Sequence, residues 1–159
     1  MSVDVFLKGN FMIINYRAPI LGKHEDISLT PDDTFSSYMV GPGFVIFPED
    51  NQLFSPIDGV ISHVFSSKHV IAIKHESGIQ VLIHLGLGSV ELQGKGITSY
   101  VELNQRVNQG DLIMSFEYDY FKDHIKSLAI PIVFVQKASL KVNKIIKKEQ
   151  YLNMILEVE

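Results

Sequence analysis

Apolar residues in this chain come in short runs separated by turn residues, not in long stripes. Val45-Ile46-Phe47 stops at Pro48, and the polar Glu49-Asp50-Asn51-Gln52 follows. Residues 53–61, 70–74, 79–85, 112–116 and 132–136 are rich in β-branched or aromatic side chains, which fit a pleated surface. Turn signals recur at Gly41-Pro42-Gly43, Asp58-Gly59, Ser77-Gly78, Gly94-Lys95-Gly96 and Gly110-Asp111. A spacing of about 8–12 residues predicts an all-β sandwich or barrel rather than βαβ units. Helix is expected only in short pieces, at 119–127 and 32–37. Residues 141–148 have a helical composition, but Val142, Ile145 and Ile146 fit a strand nearly as well. Ala18-Pro19-Ile20-Leu21-Gly22 and Ser55-Pro56-Ile57-Asp58-Gly59 share a small-Pro-Ile-x-Gly pattern, which hints at an internal repeat.

Composition narrows the class. With 159 residues and 46% hydrophobic content the chain can bury a sizeable core, and no low-complexity linker divides it. A single domain over 1–159, with its core at about 14–157, is expected. The formal net charge of -4 leaves no basic footprint for nucleic acid. The absence of cysteine excludes disulfides, a thiolate nucleophile and Cys-ligated zinc. No apolar run reaches the roughly 20 residues that span a bilayer. No signal peptide is evident, so a soluble cytoplasmic protein without membrane insertion is expected.

Six histidines carry the candidate chemistry: His24, His63, His69, His75, His84 and His124. A lone histidine in an apolar β-run is usually a hydrogen-bonded core residue. His69 and His84 differ because of their spacing. A hairpin turning at His75-Glu76-Ser77-Gly78, centred between Glu76 and Ser77, sets His69 opposite His84 and Ile71 opposite Leu82. Directly opposed residues share a face, with Cβ atoms about 4.5–5.5 Å apart. A turn at Ser77-Gly78 alone would set His69 against Gly86, and a one-residue slip would change every partner. Two adjacent imidazoles have two uses. They hold zinc if a carboxylate such as Glu91 or Asp58 completes the ligand set. Alternatively, one is a nucleophile toward phosphorus and the other donates a hydrogen bond to the phosphoryl oxygens.

The residues around this pair carry a resemblance. Ser67-Lys68-His69-Val70-Ile71, followed by Val81-Leu82-Ile83-His84-Leu85-Gly86-Leu87-Gly88-Ser89-Val90-Glu91-Leu92, is similar to the enzyme IIA domain of the glucose family of the bacterial sugar phosphotransferase system. Val40-Gly41-Pro42-Gly43, Leu53-Phe54-Ser55-Pro56-Ile57-Asp58-Gly59, Gln93-Gly94-Lys95-Gly96 and Val107-Asn108-Gln109-Gly110-Asp111 resemble further segments of that family in the same order.

The resemblance implies an antiparallel β-barrel sandwich with an apolar depression around two histidines. It also implies a phosphocarrier without cofactor or bound metal. His84 would accept phosphate from HPr and pass it to a IIB domain of a membrane sugar permease. His69 would assist, and Ser67 would hydrogen-bond beside it. An exposed apolar patch of Phe35, Val40, Phe65, Ile71, Leu82 and Val90 would dock the partners.

Gly88 departs from the family, which has an acid there facing HPr. Asp32 offers a second acidic position. Gly88→Asp is expected to speed uptake from HPr at low salt, unless Gly88 holds a positive φ that an aspartate tolerates poorly. Pro42 in place of an acid, and the lack of the usual threonine before proline in Leu128-Ala129-Ile130-Pro131, are further departures. Two rival readings stand beside the phosphocarrier. A binding module would keep the fold without the chemistry. A zinc hydrolase would need a His-x-His pair, and no two histidines here are two apart.

Overall fold

A computed structural model describes residues 6–8, 11–135, 140–148 and 151–158. The strands run in chain order: β1 Phe6–Lys8, β2 Phe11–Arg17, β3 Gly22–Asp26, β4 Gly43–Pro48 and β5 Gln52–Phe54. They continue with β6 Gly59–Val64, β7 Val70–Lys74, β8 Gln80–His84, β9 Ile97–Ser99 and β10 Arg106–Val107. The last four are β11 Leu112–Phe116, β12 Ile130–Val135, β13 Leu140–Lys148 and β14 Tyr151–Val158. Two short helices, α1 Asp33–Ser36 and α2 Tyr118–His124, fall where short helical pieces were expected, and the ambiguous segment at 141–148 is a strand.

Among the described residues the strands form three sheets, ordered β1-β2-β14-β13, β10-β6-β7-β8-β12-β4-β3 and β5-β11-β9. Every pairing among the described residues is antiparallel. The all-β expectation holds as a sandwich. Its barrel part does not, because the sheets are not closed and β10 and β3 end the seven-stranded one.

The seven-stranded sheet buries both faces, which explains its near-continuous apolar runs. One face carries Ile71, Ile73, Val81, Ile83, Ile130, Ile132 and Phe134 into the main core. The opposite face carries Val45 and Val133 into a smaller core. That second core is closed by Ile27 from a 3-10 turn at Ile27–Leu29 and by Phe35 from α1. The excursion between β3 and β4 therefore roofs one face of the sheet. Its turns are fixed locally: Asp26 caps the 3-10 turn through Ser28 N–H, and Asp32 caps α1 through Thr34 N–H.

The two Pro-Ile motifs meet in space. Arg17 N–H donates to the Pro56 carbonyl at 2.9 Å, and Phe54 N–H donates to the Pro19 carbonyl at 2.8 Å. Each donor stands two residues before its own motif's proline, so the two bonds are equivalent about a local two-fold axis. The motif glycines then open β3 and β6. A Cβ at Gly22 would lie 2.2 Å from the Phe47 carbonyl oxygen, and one at Gly59 would lie 2.4 Å from that of Lys74. Both positions need the missing side chain for the same close approach of backbones.

Candidate phosphohistidine site

The hairpin of β7 and β8 pairs Val70 with His84, Ile71 with Ile83 and Ala72 with Leu82. This is one residue away from the expected register. The turn holds three residues, Glu76-Ser77-Gly78, with His75 N–H donating to the Ile79 carbonyl at 2.9 Å and Gly78 at φ 97°. A positive-φ glycine closing a three-residue loop adds the residue that shifts the ladder. The shift has two consequences. Ile71 turns into the main core and is fully buried, so it is not part of an exposed patch. His69 stands opposite Leu85, whose N–H donates to its carbonyl at 2.7 Å, not opposite His84.

The two rings nevertheless meet. His69 lies just beyond the end of β7, after Lys68 at φ 59°, and its ring centroid is 5.1 Å from that of His84, edge to face at 84°. The contact is a diagonal one at the end of the ladder. Phe35 reaches His84 from α1 with centroids 5.2 Å apart, and Phe65 reaches His69 at 5.6 Å. The pair thus sits between two phenylalanines on the roofed face of the sheet.

Each imidazole is oriented through Nδ1. His84 Nδ1 lies 2.6 Å from the Gly86 carbonyl oxygen. A carbonyl only accepts, so Nδ1 carries the proton and Nε2 keeps the lone pair. His69 Nδ1 lies 2.5 Å from Ser67 Oγ. Burial holds both rings below the ordinary imidazole value. The charge of a protonated His84 also opposes protonation of His69. At His84 the Gly86 bond and the Asp32 carboxylate pull the other way without reversing the direction. Both rings are therefore neutral near pH 7, as nucleophilic attack requires.

The remaining predicted residues divide. Phe65, Val90 and Val40 are exposed, Leu82 is partly buried, and Phe35 is largely covered with its ring against His84. Met39, 78% exposed beside Val40, was not anticipated; one methionine in a turn-rich segment leaves no periodic signal. The Gly86 carbonyl was also missed, since a backbone acceptor has no residue type to read. Gly88 stands at φ 81°, with a Cβ there 3.3 Å from the Lys126 nitrogen.

The other histidines lie apart from the pair. His75 Nδ1 accepts from Ser77 N–H at 3.1 Å and locks the hairpin turn. His24 packs its ring 4.4 Å from Phe44, His124 stacks on Tyr120, and His63 is exposed on β6. Among the described residues no group of three or more histidines and carboxylates is placed to hold a metal. Neither Glu91 nor Asp58 completes a set with His69 and His84. No helix among the described residues is long and apolar enough to cross a membrane.

Comparison with known proteins bears on the family and the fold. Residues 14–140 match the family described as phosphoenolpyruvate-dependent sugar phosphotransferase system, EIIA 1. The fold is similar to the glucose permease IIA from Mycoplasma capricolum, with a TM-score of 0.80 and 28% identity over 90% of this chain and 95% of that one. The chain therefore belongs to the glucose-type enzyme IIA family, whose members are phosphocarrier components of the sugar phosphotransferase system.

Proposed function

We propose that His84 is the phosphoryl acceptor, through Nε2, and that His69 assists without being phosphorylated. The observation that carries this reading is the 2.6 Å contact between His84 Nδ1 and the Gly86 carbonyl, because it leaves Nε2 as the free lone-pair atom. In the uptake step the Nε2 lone pair forms a bond to phosphorus as the donor's bond to phosphorus breaks. The electron pair of that bond leaves with the donor's group, and no proton need leave His84. The Nδ1–H stays on the Gly86 carbonyl and disperses the positive charge that develops on the ring.

Ser67 donates its hydroxyl proton to His69 Nδ1, so His69 carries its own proton on Nε2. That N–H stabilises phosphoryl oxygens in the transition state. Positioning and charge stabilisation do most of what phosphoryl transfer needs.

HPr is the donor and a IIB domain of a sugar permease the acceptor. Both dock on the exposed side chains of Met39, Val40, Phe65 and Val90 around the pair. A small apolar surface with adaptable contacts suits two unrelated partners. Asp32, whose charge reaches His84, supplies the acidic contact that Gly88 does not. The chain acts in the cytoplasm as a single domain over residues 1–159.

The test is incubation of the full chain with phosphoenolpyruvate, enzyme I and HPr, read by intact mass. The expected result is an acid-labile gain of one phosphate that depends on HPr. No gain, with HPr itself phosphorylated, would leave a binding module that keeps only the fold.

A further inference from the structure

Tyr38 follows the last turn of α1 at φ 62°. A left-handed residue just past a helix is normally glycine, which takes this conformation without steric cost, and a bulky side chain there is strained. Glycine would serve the backbone better, so the tyrosine side chain has work of its own. Its hydroxyl donates to Asp26 Oδ2 at 2.5 Å, and that same oxygen accepts Ser28 N–H at 3.0 Å to cap the 3-10 turn. One carboxylate oxygen thus ties the end of α1 back to the start of the excursion. Between these two anchors lies Phe35, whose ring lies edge-on against that of His84.

We infer that the Tyr38–Asp26 hydrogen bond is a clasp that holds Phe35 against His84, making Tyr38 a positioning residue for phosphoryl transfer. The inference rests on His84 being the acceptor. Beside the packing of Ile27 and Phe35 in the smaller core, the clasp is a side-chain bond that ties the end of α1 back to the 3-10 turn. Ser37 Oγ donates to the Asp33 carbonyl at 2.5 Å, and Tyr38 N–H donates to that of Phe35 at 3.1 Å. Both lie within α1 and its cap, and neither ties α1 to the rest of the chain. With the clasp open, α1 swings, the Phe35 edge leaves the imidazole, and water gains the ring. Nucleophile orientation is then less restricted, and transfer slows while docking on Met39 and Val40 weakens less.

The experiment compares the full chain with Tyr38→Phe, which removes one oxygen and keeps the ring. The first readout needs no donor: the nuclear Overhauser contact between the Phe35 and His84 rings, and the His84 ring titration. Asp32 and His69 are the titratable neighbours of His84, and Tyr38→Phe changes neither side chain; Asp32 caps α1, and its moving away would lower the His84 value, opposite to the shift expected from exposure. The second readout is the rate of phosphoryl uptake from HPr over a range of HPr concentration.

In Tyr38→Phe the ring contact is expected to weaken, His84 to titrate nearer 6.5, and the maximal uptake rate to fall about five- to tenfold with a smaller change in half-saturating HPr. In a Phe35→Ala background, Tyr38→Phe should change neither the titration nor the rate further, because the clasp acts through Phe35. An unchanged ring contact and titration in Tyr38→Phe would overturn the clasp. An equal effect with Phe35 already removed would overturn it as well. If His84→Gln still takes phosphate, the acceptor reading fails, whereas the ring contact and titration judge the clasp separately.

Discussion

His84 and His69 are distinguished by what each Nδ1 meets: a carbonyl that can only accept, and a serine hydroxyl that can donate or accept. His84→Gln should abolish phosphorylation in the enzyme I and HPr assay. His69→Gln should still accept phosphate but pass it on about 10²-fold more slowly, since one preorganised donor is lost. A quenched-flow transfer assay checks both.

Uptake needs neutral His84, and burial lowers its value from 6.5. The uptake rate should therefore stay high as pH falls through 6.5 and drop only below it, which a pH–rate profile measures. Gly88 tests a different kind of residue effect. Its φ of 81° and the nearby Lys126 backbone oppose a side chain. Gly88→Asp is therefore expected to cost about 1 kcal/mol of stability and to lower the melting temperature. An unchanged melting temperature would contradict this.

The β7–β8 hairpin shows how far pattern reaches at the scale of an element. Runs of β-branched residues mark both strands. Hydrophobicity cannot choose among registers when both faces of a sheet are buried, because an apolar side chain finds a core on either side. The extra loop residue at Gly78 decided it, and Ile71 moved from the surface to the core. The histidine pair itself was legible because residues just beyond a strand end are less bound by the pleat, so the rings meet along the diagonal. The paired Pro-Ile motifs were legible as a repeat, but not as partners in reciprocal hydrogen bonds. Their glycines give a test at this scale. Gly59→Ala would press a Cβ against the Lys74 carbonyl, and should cost about 3 kcal/mol by forcing β6 away from β7. Chemical denaturation measures it, and a loss under 1 kcal/mol would show that the strands part easily.

For the whole molecule, His69, His75 and His84 all have values lowered by burial. In each case the unfolded chain takes up the proton more readily than the folded one. Their contribution to stability is present above the unfolded value near 6.5 and is lost as pH falls from 6.5 toward the lowered folded values. Urea unfolding from pH 8 to pH 5 should show a declining midpoint below about 6.5, and His75→Gln should soften the decline. The sandwich supplies two cores and places the site on the roofed face of the larger sheet. Its all-β class followed from turn rhythm. The roof did not, because residues 27–40 combine caps, a short helix and a strained turn whose purpose is visible only against the sheet. The most direct measurement is nuclear magnetic resonance of the phosphorylated full chain, reading which ring nitrogen of which histidine carries phosphorus. The account predicts phosphorus on His84 Nε2, with Nδ1 still protonated. Phosphorus on His84 Nδ1, or on His69 or His75, would contradict it.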